Sequence, residues 1–197
     1  MNYKILKARN FKCNFYVLGF LVLLFFCACA KNNTKSQEAA AASESDLSEM
    51  EVHNTVPIAK EIVSNQKSRV RDAYGSGQYG SSRDGGVRTH KGIDIIVKPG
   101  EKIFSPIKGN IIRQAMPYGD DPSYKGIVLR GVEQWEGYEL KIFYVEGLFS
   151  GTATEMQEIG NAQDLTIKYP RITNHIHVEV KHKGVQIDPF TLWQYSF

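Results

Sequence analysis

Residues 90–115 read HKGIDIIVKPGEKIFSPIKGNIIRQA, and this stretch determines the fold class of the 197-residue chain. Short runs of β-branched residues alternate with turn signals such as Pro99-Gly100 and Lys108-Gly109, a pattern typical of strands joined by tight turns. The connections are too short for crossover helices, so the strands are expected to pair in an antiparallel β-sheet. We therefore predict a single all-β domain over residues 72–197. Its expected strands are 92–98, 102–105, 109–115, 126–130, 138–145 and 175–181.

The N-terminus has the features of an export signal. Residues 1–14 are basic and polar, and residues 15–26 are apolar apart from one glycine. The apolar run would make only about 18 Å of helix, too short for a hydrocarbon core of about 30 Å. The box Phe26-Cys-Ala-Cys29 resembles a bacterial lipoprotein signal, which predicts a signal peptide over 1–28 and a lipid on Cys29. Such an anchor would hold the protein on a membrane of the cell envelope, on the periplasmic or surface side. Plain secretion and an uncleaved anchor are the alternatives.

The segment between this signal and the domain is polar. Residues 29–56 are rich in Lys, Asn, Ser, Ala and Glu, with few large apolar side chains. Such a segment buries too little apolar surface to offset the entropy of ordering it, so we predict a flexible tether. Residues 57–71 are expected to lead into the domain, with a short helix or strand over about 57–67. All three cysteines lie at or before position 29, so no disulfide is expected in the domain.

Charge and motif context argue against nucleic acid and nucleotide ligands. The chain has 24 Lys and Arg against 21 Asp and Glu, but four of the basic residues lie within the predicted signal. The remainder is slightly acidic, whereas binding to a phosphate backbone requires a basic excess. The sequence Gly75-Ser-Gly-Gln-Tyr-Gly80 matches the dinucleotide fingerprint, but neither a strand before it nor a helix after it is expected. We interpret it as turn chemistry.

Three of the five histidines fall in two short motifs, His90-Lys-Gly-Ile-Asp94 and His175-Ile-His177. Residues two or four apart on a strand share a face, so two adjacent strands could present three imidazoles and one carboxylate to one point. His182 is an odd number of positions from His175 and is expected to face away. Two nitrogens, one carboxylate oxygen and an open position are typical of a catalytic zinc site. The alternative is that these histidines are partly buried strand residues bonded to backbone carbonyls.

The two motifs and their surroundings resemble the M23 (lysostaphin-like, β-lytic) peptidase domain. The likeness covers about residues 72–192, from GQYGSSRDGGVRTHKGID at its start to NHIHVEV near its end. It implies a lysostaphin-type antiparallel fold and zinc as the cofactor. The metal ligands that it implies are His90, Asp94 and His177.

The resemblance also implies how the site would act. His175 would be a catalytic residue that bonds the metal water or the transition-state oxyanion, and Arg83 and Tyr144 would contact the substrate. Active members of the family are zinc endopeptidases that cut peptides of the bacterial cell wall, so peptidoglycan peptides are the expected partners.

One position departs from the active members of the family. They carry a second catalytic histidine where this chain has Tyr144-Val-Glu146. In this respect the chain resembles the version of the domain in leukocyte-derived chemotaxin, which is regarded as a zinc-binding signalling protein. Glu146 could carry a proton, but it lacks the positive charge of an imidazolium, and losing one oxyanion donor costs about 10²–10³ in rate. Two functions therefore stay open: a zinc metallopeptidase, or a degenerate zinc-binding module that binds peptide or glycan or regulates an envelope hydrolase.

Overall fold

A computed structural model of the chain describes residues 57–194. The predicted signal peptide, the lipidation site Cys29 and the predicted tether lie outside the described residues. Within the described range, no helix has the length and apolar character needed to cross a bilayer.

The described residues form fourteen strands, three short 3₁₀ turns and one α-helix. The 3₁₀ turns cover Asp84–Gly86, Glu133–Trp135 and Leu165–Ile167. The other elements are β1 Arg71–Asp72, β2 Gly75–Ser76, β3 Ser82–Arg83, β4 Arg88–Thr89, β5 Gly92–Ile96, β6 Lys102–Phe104, β7 Gly109–Ala115, β8 Gly126–Gly131, β9 Tyr138–Phe143, β10 Val145–Gly147, β11 Gly151–Ala153, β12 Glu158–Ala162, β13 His175–His182, β14 Val185–Ile187 and α1 Phe190–Trp193.

The main sheet has seven strands in the order β11-β7-β8-β9-β13-β14, with β5 also paired to β13. A second sheet has the order β10-β12-β6, and two small hairpins are formed by β1-β2 and β3-β4. The strand pairs are antiparallel. The all-β antiparallel prediction is confirmed, and each of the six expected segments contains an observed strand.

Strand β13 separates the hydrophobic core from the histidine-bearing face. Ile176, Val178 and Val180 are fully buried and belong to the main hydrophobic cluster, whereas His175, His177 and Glu179 alternate with them and point to the opposite face. In the neighbouring strand β5, Ile93 and Ile95 are also fully buried. The two-residue period of these strands therefore fixes the core on one side of the sheet and a polar site on the other.

The predicted strand over 138–145 is interrupted at Tyr144. This residue has a φ of 65°, a conformation that bulky side chains adopt only when the surroundings enforce it. The backbone N–H groups of Tyr144 and Val145 both donate to Lys125 O, at 2.7 and 3.1 Å. The chain thereby leaves the main sheet after β9 and enters the second sheet as β10.

The lead-in segment is neither the helix nor the strand expected from the sequence. Residues 57–67 are irregular, yet Ala59, Ile62 and Val63 are buried in the core. The backbone is satisfied by tertiary bonds: Ala59 N donates to Leu192 O at 2.8 Å, and Lys60 N donates to Pro106 O at 2.9 Å. Because these hydrogen bonds join residues far apart in sequence, the local sequence pattern does not predict the conformation of this segment.

Candidate metal centre

Three side chains bring donor atoms together at the junction of β5 and β13. Asp94 lies directly opposite His177 in the strand register, and Asp94 Oδ1 is 2.8 Å from His177 Nδ1. His90, two residues before β5, places its Nε2 atom 3.2 Å from Asp94 Oδ1 and 3.0 Å from His177 Nδ1. The sequence motifs that predicted a cluster are therefore adjacent in space, and these three residues form a group that could hold a metal ion.

The outer ring nitrogens of the two histidines have further contacts. His90 Nδ1 lies 2.8 Å from the carbonyl oxygen of Gln78, which leaves the Nε2 lone pair available in that tautomer. His177 Nε2 is 3.7 Å from Glu179 Oε1, and Glu179 is in turn 3.5 Å from Lys141 Nζ. Metal-ligating histidines in proteins commonly have such a carbonyl or carboxylate beside the second ring nitrogen.

The electrostatics of the cluster favour a charged carboxylate. Burial acts to raise the pKa of Asp94, but hydrogen bonds from His177 and His90 outweigh it and hold that pKa well below its usual range. Burial acts to lower the pKa of His177, but Asp94 and Glu179 outweigh it and raise that pKa. The cluster thus holds an ionised carboxylate oxygen against two imidazole nitrogens.

This donor set fits a zinc ion. Zinc binds imidazole nitrogen and carboxylate oxygen at about 2.0–2.2 Å, so two donors on one tetrahedral ion lie about 3.4 Å apart. The three donor–donor distances of 2.8, 3.0 and 3.2 Å are close to that value. Two imidazole nitrogens facing each other at 3.0 Å also need a shared proton or cation between them.

His175 lies beside the three donors. Its side chain is buried, with Nδ1 2.7 Å from Thr173 O and Nε2 3.7 Å from Asp94 Oδ2. Burial lowers the pKa of this imidazole. His182, by contrast, stacks on Tyr138 with ring centroids 4.3 Å apart and is outside the cluster, as the odd offset along the strand predicts.

The cluster opens into a cleft of about 810 Å³ that also contains the predicted substrate-contacting residues Arg83 and Tyr144. The Arg83 guanidinium donates to Ser76 O and, at 3.2 Å, to Ser82 O. Burial raises the pKa of Tyr144 to about 12, and its hydroxyl is 3.1 Å from the hydroxyl of Tyr118. Further aromatic and basic residues along the cleft include Tyr74, Phe143, Tyr169, Arg69, Arg88 and Lys91.

Glu146 is not brought to this cluster. Its side chain is 62% exposed and its Oε1 atom lies 2.7 Å from Lys125 Nζ. It is absent from the residues that line the cleft. The cause is the turn at Tyr144, which transfers the following residues to the second sheet, where Glu146 pairs with Asn161. The expectation that Glu146 serves as a proton carrier therefore finds no geometric support.

Sequence reasoning missed one residue that contacts the cluster, Arg69. Its side chain is 4% exposed and bonds Asp94 Oδ2 through Nη2 at 2.6 Å and through Nε at 3.1 Å. The polar run Ser68-Arg-Val-Arg-Asp72 gives no local sign that one of its arginines is buried. The contact spans 25 positions, and only knowledge of the tertiary fold could have found it.

No protein-family model matches the chain. Leukocyte cell-derived chemotaxin-2 of Mus musculus is 33% identical over 118 residues, covering 59% of this chain and 74% of that protein. The protein of the same name from Bos taurus is 30% identical over 118 residues, with the same two shares of 59% and 74%. The solution structure of lysostaphin superposes with a TM-score of 0.51 at 15% identity, covering 72% of this chain and 55% of that one. The last likeness concerns the fold alone, and it confirms the lysostaphin-type fold expected from the sequence.

Proposed function

This chain belongs to the M23-like family that includes leukocyte cell-derived chemotaxin-2, and from that premise we propose that it is a zinc-dependent metallopeptidase acting on cell-wall (peptidoglycan) peptides. The observation that carries the proposal is the convergence of one carboxylate oxygen and two imidazole nitrogens within 3.2 Å of one another. The open cleft beside them supports access by an extended peptide.

The proposed metal ligands are His90 through Nε2, Asp94 through Oδ1 and His177 through Nδ1. A zinc ion held by these two nitrogens and the carboxylate oxygen would supply a Lewis acid for the peptide carbonyl and for the attacking water. The contacts of His90 Nδ1 with Gln78 O and of His177 Nε2 with Glu179 support this assignment, because they lie on the outer side of each ring while the inner nitrogens face Asp94 Oδ1.

His175 is the proposed proton-transfer residue. Its Nδ1 atom is engaged by Thr173 O at 2.7 Å, so in the corresponding tautomer Nε2 is the atom that can accept a proton from the attacking water and return it to the leaving nitrogen. The 3.7 Å separation of that nitrogen from Asp94 Oδ2 supports a role next to the ligands rather than as one of them.

Arg83 and Tyr144 are the proposed substrate contacts. Two backbone carbonyls accept from the Arg83 guanidinium, which orients it, and its remaining N–H groups suit carbonyls or carboxylates of a peptide. Tyr144 lines the same cleft, and its hydroxyl is a neutral hydrogen-bonding group.

A second function is favoured by the position of Glu146, which is exposed and paired with Lys125. With no acid–base group from that position in the cleft, oxyanion stabilisation loses one donor, and such a loss costs about 10²–10³ in rate. The second candidate is therefore a zinc-binding module that holds an envelope peptide or glycan, or regulates a true hydrolase, without turnover.

The proposed location is the cell envelope, with a lipid on Cys29 as the anchor and secretion as the alternative. Replacement of Cys29 by serine should move the protein from the membrane fraction to the soluble fraction and remove incorporated radiolabelled fatty acid. Retention of the label in that variant would exclude Cys29 as the lipidated residue.

Digestion of peptidoglycan tests the proposed activity directly. The purified chain, loaded with zinc, is incubated with peptidoglycan, and newly cut stem or bridge peptides are sought by mass spectrometry. New fragments that an Asp94→Ala control does not release would support the peptidase. No fragments from a chain that holds about one zinc ion would favour the binding module.

A further inference from the structure

The carboxylate of Asp94 is shared between the proposed metal ligands and a buried arginine. Its Oδ1 atom faces the two histidines, while its Oδ2 atom accepts from Arg69 Nη2 at 2.6 Å and from Arg69 Nε at 3.1 Å. The side chains of Arg69 and Asp94 are 4% and 2% exposed. A buried carboxylate with each oxygen engaged by a different partner has little freedom to rotate.

The arginine is itself fixed by a second acidic residue. Arg69 Nη1 lies 2.6 Å from Asp72 Oδ1 and donates to Gly75 O at 3.2 Å. Asp72 Oδ2 accepts from the backbone N–H of Thr173 at 2.9 Å, and the carbonyl of Thr173 is the group that engages His175 Nδ1 at 2.7 Å. A continuous set of polar contacts therefore joins the proposed ligand Asp94 to the proposed proton-transfer residue His175.

The backbone around Gly77 holds the arginine and the aspartate side by side. Arg69 N donates to Asp94 O at 2.8 Å, and Asp94 N donates to Gly77 O at 2.9 Å. A Cβ atom at Gly77 would collide with the carbonyl oxygen of Arg69 and lie 3.0 Å from the Cβ atoms of both Arg69 and Asp94. A glycine is thus required at position 77 so that the segments of Arg69 and Asp94 can approach it closely. Part of the Gly75–Gly80 motif therefore has a packing role in addition to turn formation.

We infer that Arg69, anchored by Asp72, is a positioning residue of the metal centre that keeps Asp94 Oδ2 occupied and presents Oδ1 alone to the ion. The inference rests on the proposed zinc site. The planar guanidinium of Arg69 presents a fork of N–H donors and so makes two contacts at once. One contact fixes the rotation of the Asp94 carboxylate, and the other, through Asp72, fixes the segment that carries His175. A lysine offers a single point charge and does not reproduce the fork.

A purely structural ion pair would behave differently. Breaking a buried pair lowers the stability of the folded chain, but on that account the affinity for zinc and the geometry around the metal would stay the same in molecules that remain folded. The zinc affinity and the metal spectrum of the folded chain therefore distinguish a positioning role from a purely structural one.

The test compares Arg69→Lys and Asp72→Asn with Arg71→Lys as the matched control, since Arg71 is an exposed neighbour in β1. Zinc affinity is measured in the full chain by competition with a chromophoric chelator. The visible absorption of the cobalt(II)-loaded chain reports the geometry around the metal, and melting without metal reports stability.

Arg69→Lys should weaken zinc binding about 10–100-fold and change the cobalt spectrum. Asp72→Asn should weaken it about two- to tenfold, and Arg71→Lys should match the wild type.

Wild-type affinity and an unchanged cobalt spectrum in folded Arg69→Lys would overturn the inference while leaving the zinc site intact. If Arg69→Lys does not fold, Asp72→Asn decides in the same way, and wild-type affinity in that variant would overturn it. A wild-type chain that binds no zinc would remove the proposed function and this inference together.

Discussion

The proposed metal ligands and Glu146 lie in different surroundings. The side chains of His90, Asp94 and His177 are between 2 and 13% exposed, and each has a further contact on its outer side. Glu146, at the position where the M23 resemblance leads us to expect a catalytic histidine in active members, is 62% exposed and paired with Lys125. On the proposed function, metal binding and turnover would therefore depend on separate parts of this molecule, and one could be intact while the other is weakened.

The largest effect is expected for Asp94→Ala, which removes the oxygen shared by both histidines. Zinc content should fall from about one ion per chain to nearly none, as measured by inductively coupled plasma mass spectrometry after dialysis. The exposed Asp120 provides the control variant Asp120→Ala, which should retain zinc. One zinc ion per chain in Asp94→Ala would exclude the ligand assignment.

His175→Ala should separate chemistry from metal binding. Zinc content is expected to stay near one ion per chain, while any peptide cleavage falls by about 10²–10⁴-fold because the proton-transfer group is lost. His182→Ala, a change on the same strand but outside the cluster, should leave cleavage unchanged. Loss of zinc from His175→Ala would show that this residue is a ligand instead.

Removal of zinc should destabilise the fold. A ligand that binds only the folded state at a hundredfold excess over its Kd stabilises the chain by about 2.7 kcal/mol. Thermal melting with zinc and with a chelator should therefore differ in the wild type and coincide in Asp94→Ala. Identical melting of the wild type under both conditions would contradict binding at this site.

The smallest effect is expected for Glu146→Gln, because the side chain of Glu146 is exposed and lies outside the cleft. An exposed ion pair contributes about 0–1 kcal/mol, so stability should change by less than about that amount, and zinc affinity and cleavage should be unchanged. Glu158→Gln, which removes a similar exposed pair with Lys102, is the matched control. A tenfold or greater loss of cleavage in Glu146→Gln alone would restore the proton-carrier role that its position argues against.

The strands and the histidine cluster were predictable because both depend on a two-residue period. His175 and His177 share a face wherever β13 is extended, and the buried residue between them, Ile176, marks the core side. The turn signals at Pro99-Gly100 and Lys108-Gly109 delimited the strands around the first motif in the same local way.

Arg69, Tyr144 and the lead-in were not predictable because their structure depends on distant partners. Arg69 becomes buried only when β5 lies beside its segment, through bonds that join it to Asp94 25 positions away. The positive φ of Tyr144 occurs at a residue type with no preference for that conformation. This conformation turns Glu146 outward. Comparing the order of residues with a family motif could not predict that position.

X-ray absorption at the zinc edge of the loaded full-length chain tests the central claim most directly, because it reports the ligand types. The three-donor site predicts two imidazole nitrogens and oxygen ligands at about 2.0–2.2 Å, with no sulfur at about 2.3 Å. Sulfur ligation would move the metal to the cysteines at Cys13, Cys27 or Cys29. Sulfur, or fewer than two imidazoles, would contradict a centre built from His90, Asp94 and His177.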